Sequence, residues 1–379
     1  MKIVIAIDSF KGSLSSLEAG RAAAAGIRRA IPAADTVISP LADGGEGTAE
    51  ALVLGLGGQF REVSVSDPLG RPVNARYGIL PGNTAVIEMA AASGLPLLSE
   101  NERDPMVTST CGTGQLILDA VGQGCRELII GIGGSATNDG GIGCLQALGF
   151  GFLDRNGSPV TGNAAGLAEL CSITFDNAAP ELKNCRFHVA CDVDNPLCGE
   201  RGCSAVFAPQ KGADTAAVKT MDGCLQSYAE LVKSYIPSAD PDMPGAGAAG
   251  GMGFALRNFL GADISSGVSL VLHETGLEEE LKSADFLVTG EGCLDSQTAM
   301  GKAPAGAAAL AAKYGVPVIA FCGAVREGAE LCNASGINAF FPILRRTCSI
   351  SEAMDKENAA KNLTDTAEQV FRLINAVKN

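Results

Sequence analysis

Three apolar runs in the chain lead into an acidic residue with small neighbours: residues 2–7 into Asp8, His188–Cys191 into Asp192, and Phe286–Thr289 into Glu291. Ligands of open α/β sheets bind at the carboxyl ends of the strands. An acid placed there holds a divalent cation or accepts the proton of a substrate hydroxyl. A single aspartate in that position more often caps the next helix. Three of them tip the reading toward a shared site.

The densest loop is GIGGSATNDGG, Gly131 to Gly141, directly after a buried-type apolar run. Consecutive small residues expose backbone N–H groups as a nest for an anion. A helix beginning near Ile142 would aim its positive end at the same point. Ser135, Thr137 and Asn138 add side-chain donors, and Asp139 is a candidate metal ligand. A plain turn needs one or two glycines, not the five present. Gly131, Gly133 and Ala136 also satisfy G-x-G-x-x-A, with Asp154 about 20 residues on. That match predicts a nicotinamide-dependent dehydrogenase. The polar continuation through Asp139 fits it poorly, because a dinucleotide site needs its helix already under way. A second match, Gly245, Gly247 and Gly250, has no strand before it. No Walker A motif exists: Gly301-Lys302 is followed by Ala303, and Ser296 stands where its first glycine belongs.

Two more segments carry chemistry. ADGGEGT, Ala42–Thr48, sets Asp43 and Glu46 on a glycine turn at a helix start. Glu46 fits ordinary compensation of the helix dipole, whereas Asp43, between a strand and two glycines, suggests a site. TGEGCLDSQTAMGKAP, Thr289–Pro304, offers Glu291, Asp295, Gln297, Thr298 and Lys302 in one loop. Acid, amide, hydroxyl and lysine together suit a phosphate or carboxylate with its cation.

The elements that must position these residues follow from local patterns. Residues 2–7 read as a buried strand. Ser15 with Glu18 is a capping box; Leu17, Gly20, Ala24, Ile27 and Ile31 recur at helical spacing until Pro32. A short strand at Val37–Ser39 and a helix from about Ala49 to Leu56, stopped by Gly57-Gly58, complete a parallel-sheet grammar. Alternation then takes over. Val63 and Val65, the turn Asp67–Gly70, Val73 to Ile79 and Thr84–Met89 predict an antiparallel meander. Leu128–Ile132 and His188–Cys191 are further strands, and Pro244–Gly253 is a glycine-dense loop before a helix. The parallel grammar returns with strands at Phe286–Thr289, Val316–Phe321 and Ala339–Leu344 and an Ala-rich helix near 303–313. A closing helix carries Leu363, Ala367, Val370, Ile374 and Val377 on one face. The prediction is an α/β protein: a Rossmann-like parallel domain from residues 1–60 plus 285–379, with a mixed α/β domain, 61–284, inserted.

Composition narrows the function. The chain has 379 residues, 46% of them hydrophobic, and a net charge of −14. That charge argues against nucleic acid and anionic membranes as partners. The apolar run before Asp8 is too short for a signal peptide, and no apolar stretch reaches the ~18 residues of a membrane span, which predicts a cytoplasmic protein. The 13 cysteines contain no C-x-x-C pair and read as reduced, mostly buried thiols rather than a zinc site at Cys185–Cys203. With only His188 and His273, a Ser-His-Asp or Cys-His mechanism is disfavoured.

Nine segments, in order along nearly the whole chain, resemble the bacterial glycerate kinase family of the two-domain α/β type. They are DSFKGSL (Asp8–Leu14), ADGGEGT, SDPLGRPVNARYGIL (Ser66–Leu80), VIEMAAASGL (Val86–Leu95), GIGGSATNDGG, ACDVDNPL (Ala190–Leu197), APQKGA (Ala208–Ala213), PGAGAAGGMG and TGEGCLDSQTAMGKAP. The resemblance implies phosphoryl transfer from ATP, with Mg²⁺, to the C2 hydroxyl of D-glycerate, in a cleft between the two domains. For this chemistry the candidate catalytic groups are Asp8, Lys11 and Asp192, with Asp8 or Asp192 accepting the hydroxyl proton. The candidate substrate or phosphate contacts are Ser9, Ser93, Gly133, Gly134, Ser135, Asn138, Lys211, Thr298 and Lys302, and the candidate metal ligands are Asp43, Asp139, Glu291 and Asp295. The chain departs from the family pattern at Ile7 (usually Pro), Gly12 (usually acidic), Gln115 (usually Glu) and Cys293 (commonly Arg). A thiol at 293 lacks the planar donors of arginine. Three other readings stay open at this level: a 3-phosphoglycerate-forming kinase, a dehydrogenase using the Gly131 loop, and a non-catalytic sugar-acid-binding regulator.

Overall fold

The computed structural model describes residues 1–45 and 47–378. Its strands are β1 (Lys2–Ile7), β2 (Asp35–Ile38), β3 (Gln59–Ser66), β4 (Pro72–Leu80), β5 (Thr84–Glu88), β6 (Glu127–Gly131), β7 (Gly151–Leu153), β8 (Ser172–Thr174), β9 (Arg186–Ala190), β10 (Asp263–Ser265), β11 (Phe286–Leu294), β12 (Val318–Val325) and β13 (Ala339–Pro342). The chain forms two compact units. One comprises Met1–Asp43, Glu50–Leu56 and Val268–Asn379; the other comprises Gly44–Ala49 and Gly57–Gly267.

The first unit is built on a five-stranded sheet in the order β13-β12-β11-β1-β2. Each neighbouring pair is parallel. Ile3, Val4, Ile5, Ala6 and Ile7 are all buried, as expected of a strand covered by helices on both faces. The capping box of Ser15 and Glu18 starts the helix Ser16–Ala30. Ser16 then ties helix to sheet: its hydroxyl donates to the Ile7 carbonyl at 2.7 Å and accepts from the Leu41 amide at 3.0 Å. The closing helix, Lys356–Lys378, lies against Ser16–Ala30, so close that a methyl at Gly26 would sit 2.1 Å from the Thr364 carbonyl. Leu363, Ala367 and Phe371 are buried there, whereas Val377 is 78% exposed, off the face that the spacing assigns it.

The second unit holds a six-stranded mixed sheet, β10-β9-β6-β5-β4-β3. The pairs β3–β4 and β4–β5 are antiparallel, as the alternating residues predict, and the remaining pairs are parallel. A two-stranded antiparallel ribbon, β7–β8, and a 21-residue helix, Thr215–Tyr235, add to the elements expected from the sequence. The core of this unit centres on Tyr77, Phe152, Phe187, Tyr228 and Phe254, with aliphatic side chains from β5 and β6. Among the described residues no helix is long and apolar enough to cross a membrane.

Candidate active site

In the first unit, Asp8 follows β1 directly and its amide donates to the Gly290 carbonyl at 2.8 Å. The residue is 8% exposed. Its Oδ1 accepts from the Ser9 amide at 2.6 Å. Burial raises its pKa from 3.8 to about 7; the Ser9 bond opposes this, Asp43 and Glu291 add to it, and Lys11 opposes it. A base poised near neutrality suits proton transfer from a hydroxyl. Lys11 is exposed and stands 3.9 Å from Asp43, a pair worth at most about 1 kcal/mol in water.

Glu291 lies on β11, the neighbour of β1. The sequence pattern ends this strand at Thr289 and opens a loop there. The structure carries the strand on to Leu294, because β12 offers a parallel partner as far as Val325. Glu291 is therefore held in a ladder, not on a flexible turn. Its carboxylate accepts from the Thr298 hydroxyl at 2.6 Å. Burial raises its pKa, with Thr298 and Lys302 pulling the other way. Asp295 caps the short helix Ser296–Ala299, its Oδ1 accepting from the amides of Gln297 (2.9 Å) and Thr298 (3.2 Å). Lys302 stands at the start of the helix Ala303–Ala312. Cys293, two residues beyond Glu291 on the same strand and so on the same face, pairs in register with Ala324. Asp8, Lys11, Asp43, Glu291, Asp295, Thr298 and Lys302 thus all belong to this unit. Glu46 lies outside the described residues.

The second unit contains a cavity of about 440 Å³ lined by Gly44, Gly133, Gly134, Ser135, Asp192 and Lys211 among others. Lys211 is 1% exposed. Its ammonium donates to Ser135 Oγ at 2.8 Å and to the Thr137 carbonyl at 2.6 Å. Burial lowers its pKa to about 8, against the upward pull of Cys203 and Asp139. Asp192 follows β9, and its Oδ1 accepts from the Gly267 amide at 3.1 Å. Gly44, at φ +87°, has no room for a side chain: a methyl would meet the Gly267 Cα at 2.4 Å. Ala249 lines the same cavity in a left-handed conformation (φ +53°, ψ +40°). That conformation costs a non-glycine residue about 1 kcal/mol, so the surrounding packing holds it there.

Only part of the glycine-rich loop faces the cavity. Gly133, Gly134 and Ser135 face the cavity, but Asn138 and Asp139 are fully buried and do not line it. Asn138 Nδ2 donates to Ser204 Oγ at 2.9 Å. Asp139 accepts from the Thr110 amide and hydroxyl (2.9 and 2.7 Å) and from the amides of Gly141 (3.0 Å) and Gly143 (3.4 Å). It thus fills the start of the helix Ile142–Ala147, the point that the sequence assigns to an outside anion, and its oxygens are taken up by the fold. Because that helix begins only at Ile142, the loop lacks the geometry of a dinucleotide fingerprint, which needs a helix at its last glycine. Ser93 is also buried, sharing a hydrogen bond with Thr113 at 2.8 Å. Sequence reasoning passed over Glu88. It ends β5 and accepts from the Ala49 amide, in the first turn of the helix Thr48–Leu56, at 2.9 Å. The rule of an acid at a strand end, applied to Thr84–Glu88, finds it.

Among the described residues no group of three or more His, Cys, Asp or Glu side chains is placed to hold a metal. Mg²⁺ takes hard oxygen donors, commonly one or two carboxylates together with phosphates and water; Glu291 and Asp295 are two such carboxylates near Lys302.

A parallel sheet with acids at its strand ends, joined in one chain to a second unit whose glycine-walled cavity holds a buried lysine, gives an α/β protein with no Walker loop, and its likeness to known proteins gives its class as a kinase. The family profile described as the Glycerate kinase family matches residues 3–375. The chain is 46% identical over 95% of its length to the glycerate kinase of Halalkalibacterium halodurans, covering 97% of that protein. It is 47% identical to the glycerate 2-kinase of Escherichia coli K12, covering 93% of each. A crystal structure from Salmonella typhimurium LT2, of a protein given the provisional name glycerate kinase 2, superimposes with a TM-score of 0.93 at 44% identity, over 100% of this chain and 99% of that one. The chain belongs to the glycerate kinase family, and it is an enzyme of that kinase class.

Proposed function

We propose that the protein transfers the terminal phosphoryl group of ATP, with Mg²⁺, to the C2 hydroxyl of D-glycerate, giving 2-phosphoglycerate and ADP in the cytoplasm. The observation that carries this reading is Asp8, a buried carboxyl at the end of the strand next to β11, kept proton-accepting near neutrality by burial and by the carboxylates of Asp43 and Glu291. Phosphoryl transfer asks a protein mainly for positioning and charge neutralisation. Asp8 accepts the hydroxyl proton as the new O–P bond forms. Lys302 and the N-terminus of the helix Ala303–Ala312 offer positive charge to phosphate oxygens. Glu291 and Asp295 would hold the cation; Thr298 fixes Glu291 in orientation through its 2.6 Å bond. Mg²⁺, when bound, neutralises charge on the phosphates. Lys211, Ser135 and the backbone of Gly133 and Gly134 bind an anion in the second unit's cavity. The two curated relatives named for this activity support the substrate, and the one named glycerate 2-kinase supports the position of transfer. The acidic net charge of −14 accords with small-molecule substrates rather than nucleic acid.

A coupled ADP-release assay with D-glycerate and Mg-ATP, followed by phosphorus NMR of the product, tests the reading. The expected result is ADP release that depends on D-glycerate and a single 2-phosphoglycerate resonance. Release without glycerate, a 3-phosphoglycerate product, or nicotinamide reduction in place of ADP formation would each overturn it.

A further inference from the structure

We infer that Lys211 and Ser135 form a two-donor clamp for the carboxylate of the hydroxy acid, so that the cavity of the second unit is the acid's subsite and not the nucleotide's. The inference rests on the kinase reading above and deepens it.

The hydrogen-bond directions argue for the clamp. An ammonium has three N–H donors. Lys211 spends one on Ser135 Oγ and one on the Thr137 carbonyl, which leaves one for a ligand. A serine hydroxyl has one proton to give. Because Ser135 Oγ accepts from Lys211, its own proton is free to turn toward the cavity that both residues line. One N–H and one O–H, rooted 2.8 Å apart, match the two oxygens of a carboxylate. Desolvation strengthens such a pairing, since Lys211 is 1% exposed.

Charge balance argues for the kind of anion. Among the described residues that line the cavity, Lys211 and Asp192 are the only charged ones, and they cancel. A monoanionic acid pairs with Lys211, and its C3 hydroxyl, which is not the one phosphorylated, can donate toward Asp192. A triphosphate brings several negative charges and would meet one lysine and an opposing aspartate. The positive groups suited to it, Lys11 and Lys302, belong to the other unit.

The test uses the full chain. KM for D-glycerate and for ATP are measured on wild type, Lys211→Met and Ser135→Ala, and glycerol serves as the neutral analogue that lacks the carboxylate. The chain has no Trp, so direct binding of D-glycerate is read by calorimetry. The expected result is a rise of about tenfold to a hundredfold in glycerate KM for either variant, the worth of one charge-assisted hydrogen bond. ATP KM stays within about twofold, and the preference for glycerate over glycerol shrinks. A raised ATP KM with unchanged glycerate KM would give the cavity to the nucleotide and overturn the inference. Wild type that uses glycerol as well as glycerate would overturn it too. Should Lys211→Met fail to fold, Ser135→Ala decides. A wild type that binds D-glycerate in the calorimeter but releases no ADP would defeat the kinase reading and leave the clamp standing.

Discussion

Replacing Asp8 by asparagine should make the protein more stable and much less active, with the stability gain appearing only as pH rises. The folded-state pKa of about 7 lies above the ordinary 3.8. At about 1.36 kcal/mol per pH unit, that gap is about 4 kcal/mol. Below pH 3.8 the carboxyl is protonated in folded and unfolded chains alike, and it costs nothing. Between pH 3.8 and about 7 the unfolded chain releases the proton while the folded one keeps it, so stability falls as pH rises. Above about pH 7 the full penalty is present. The amide of the Asp8→Asn variant never ionises and escapes it. Water reaching a group that is 8% exposed softens the penalty, so the expected gain is about 2–4 kcal/mol at pH 8 and close to zero near pH 4. Urea unfolding of both proteins at pH 4.5, 6 and 8, with EDTA and without nucleotide, measures it. The same substitution removes the proposed proton acceptor and should lower kcat by about 10²–10⁴-fold. Wild-type kcat/KM should rise with pH through about 7, since the base must be ionised. A stability difference that does not change between pH 4.5 and 8, or an Asp8→Asn enzyme with wild-type turnover, would refute the reasoning.

Asp139→Ala should behave in the opposite way, as a fold defect. It strips the hydrogen bonds of Thr110, Gly141 and Gly143 from a fully buried site. The expected loss is about 3–5 kcal/mol, seen as a lower urea midpoint; an unchanged midpoint would return Asp139 to the list of ligand groups. Cys293→Arg places a cation on the same strand face as Glu291. It should lower KM for ATP or glycerate by about twofold to fivefold, the worth of a part-exposed charge pair; steady-state constants that do not move would put position 293 outside the site.

Much of the scaffold was legible because its signals are local. The Ser15–Glu18 box, the Asp67–Gly70 turn and the alternating residues of β3 and β4 each act through near neighbours in the chain. The strand end at Thr289 was misplaced for the complementary reason. The extension of β11 to Leu294 depends on β12, whose residues stand some way along the sequence. The helix Thr215–Tyr235 carries Met221, Leu225, Tyr228, Ala229 and Val232 at helical spacing along its buried face, a local signal that the strand-centred reading passed over.

By itself the amino-acid order determined which residues were available for chemistry: acids at strand ends, a glycine-dense loop, and lysines beside small residues. It also carried the family likeness, which is a property of ordered motifs. Only the tertiary structure decided what each acid does. Asp8 and Asp139 both sit between a buried strand and a helix, next to small residues. The fold leaves Asp8 with one neighbouring amide as donor and sets Glu291 and Asp43 near it. It gives Asp139 four donors, two of them from Thr110 on a different segment. Desolvation and the count of hydrogen-bond partners set whether a carboxylate is reactive or structural, and both are sums over neighbours that the chain brings together only when it folds.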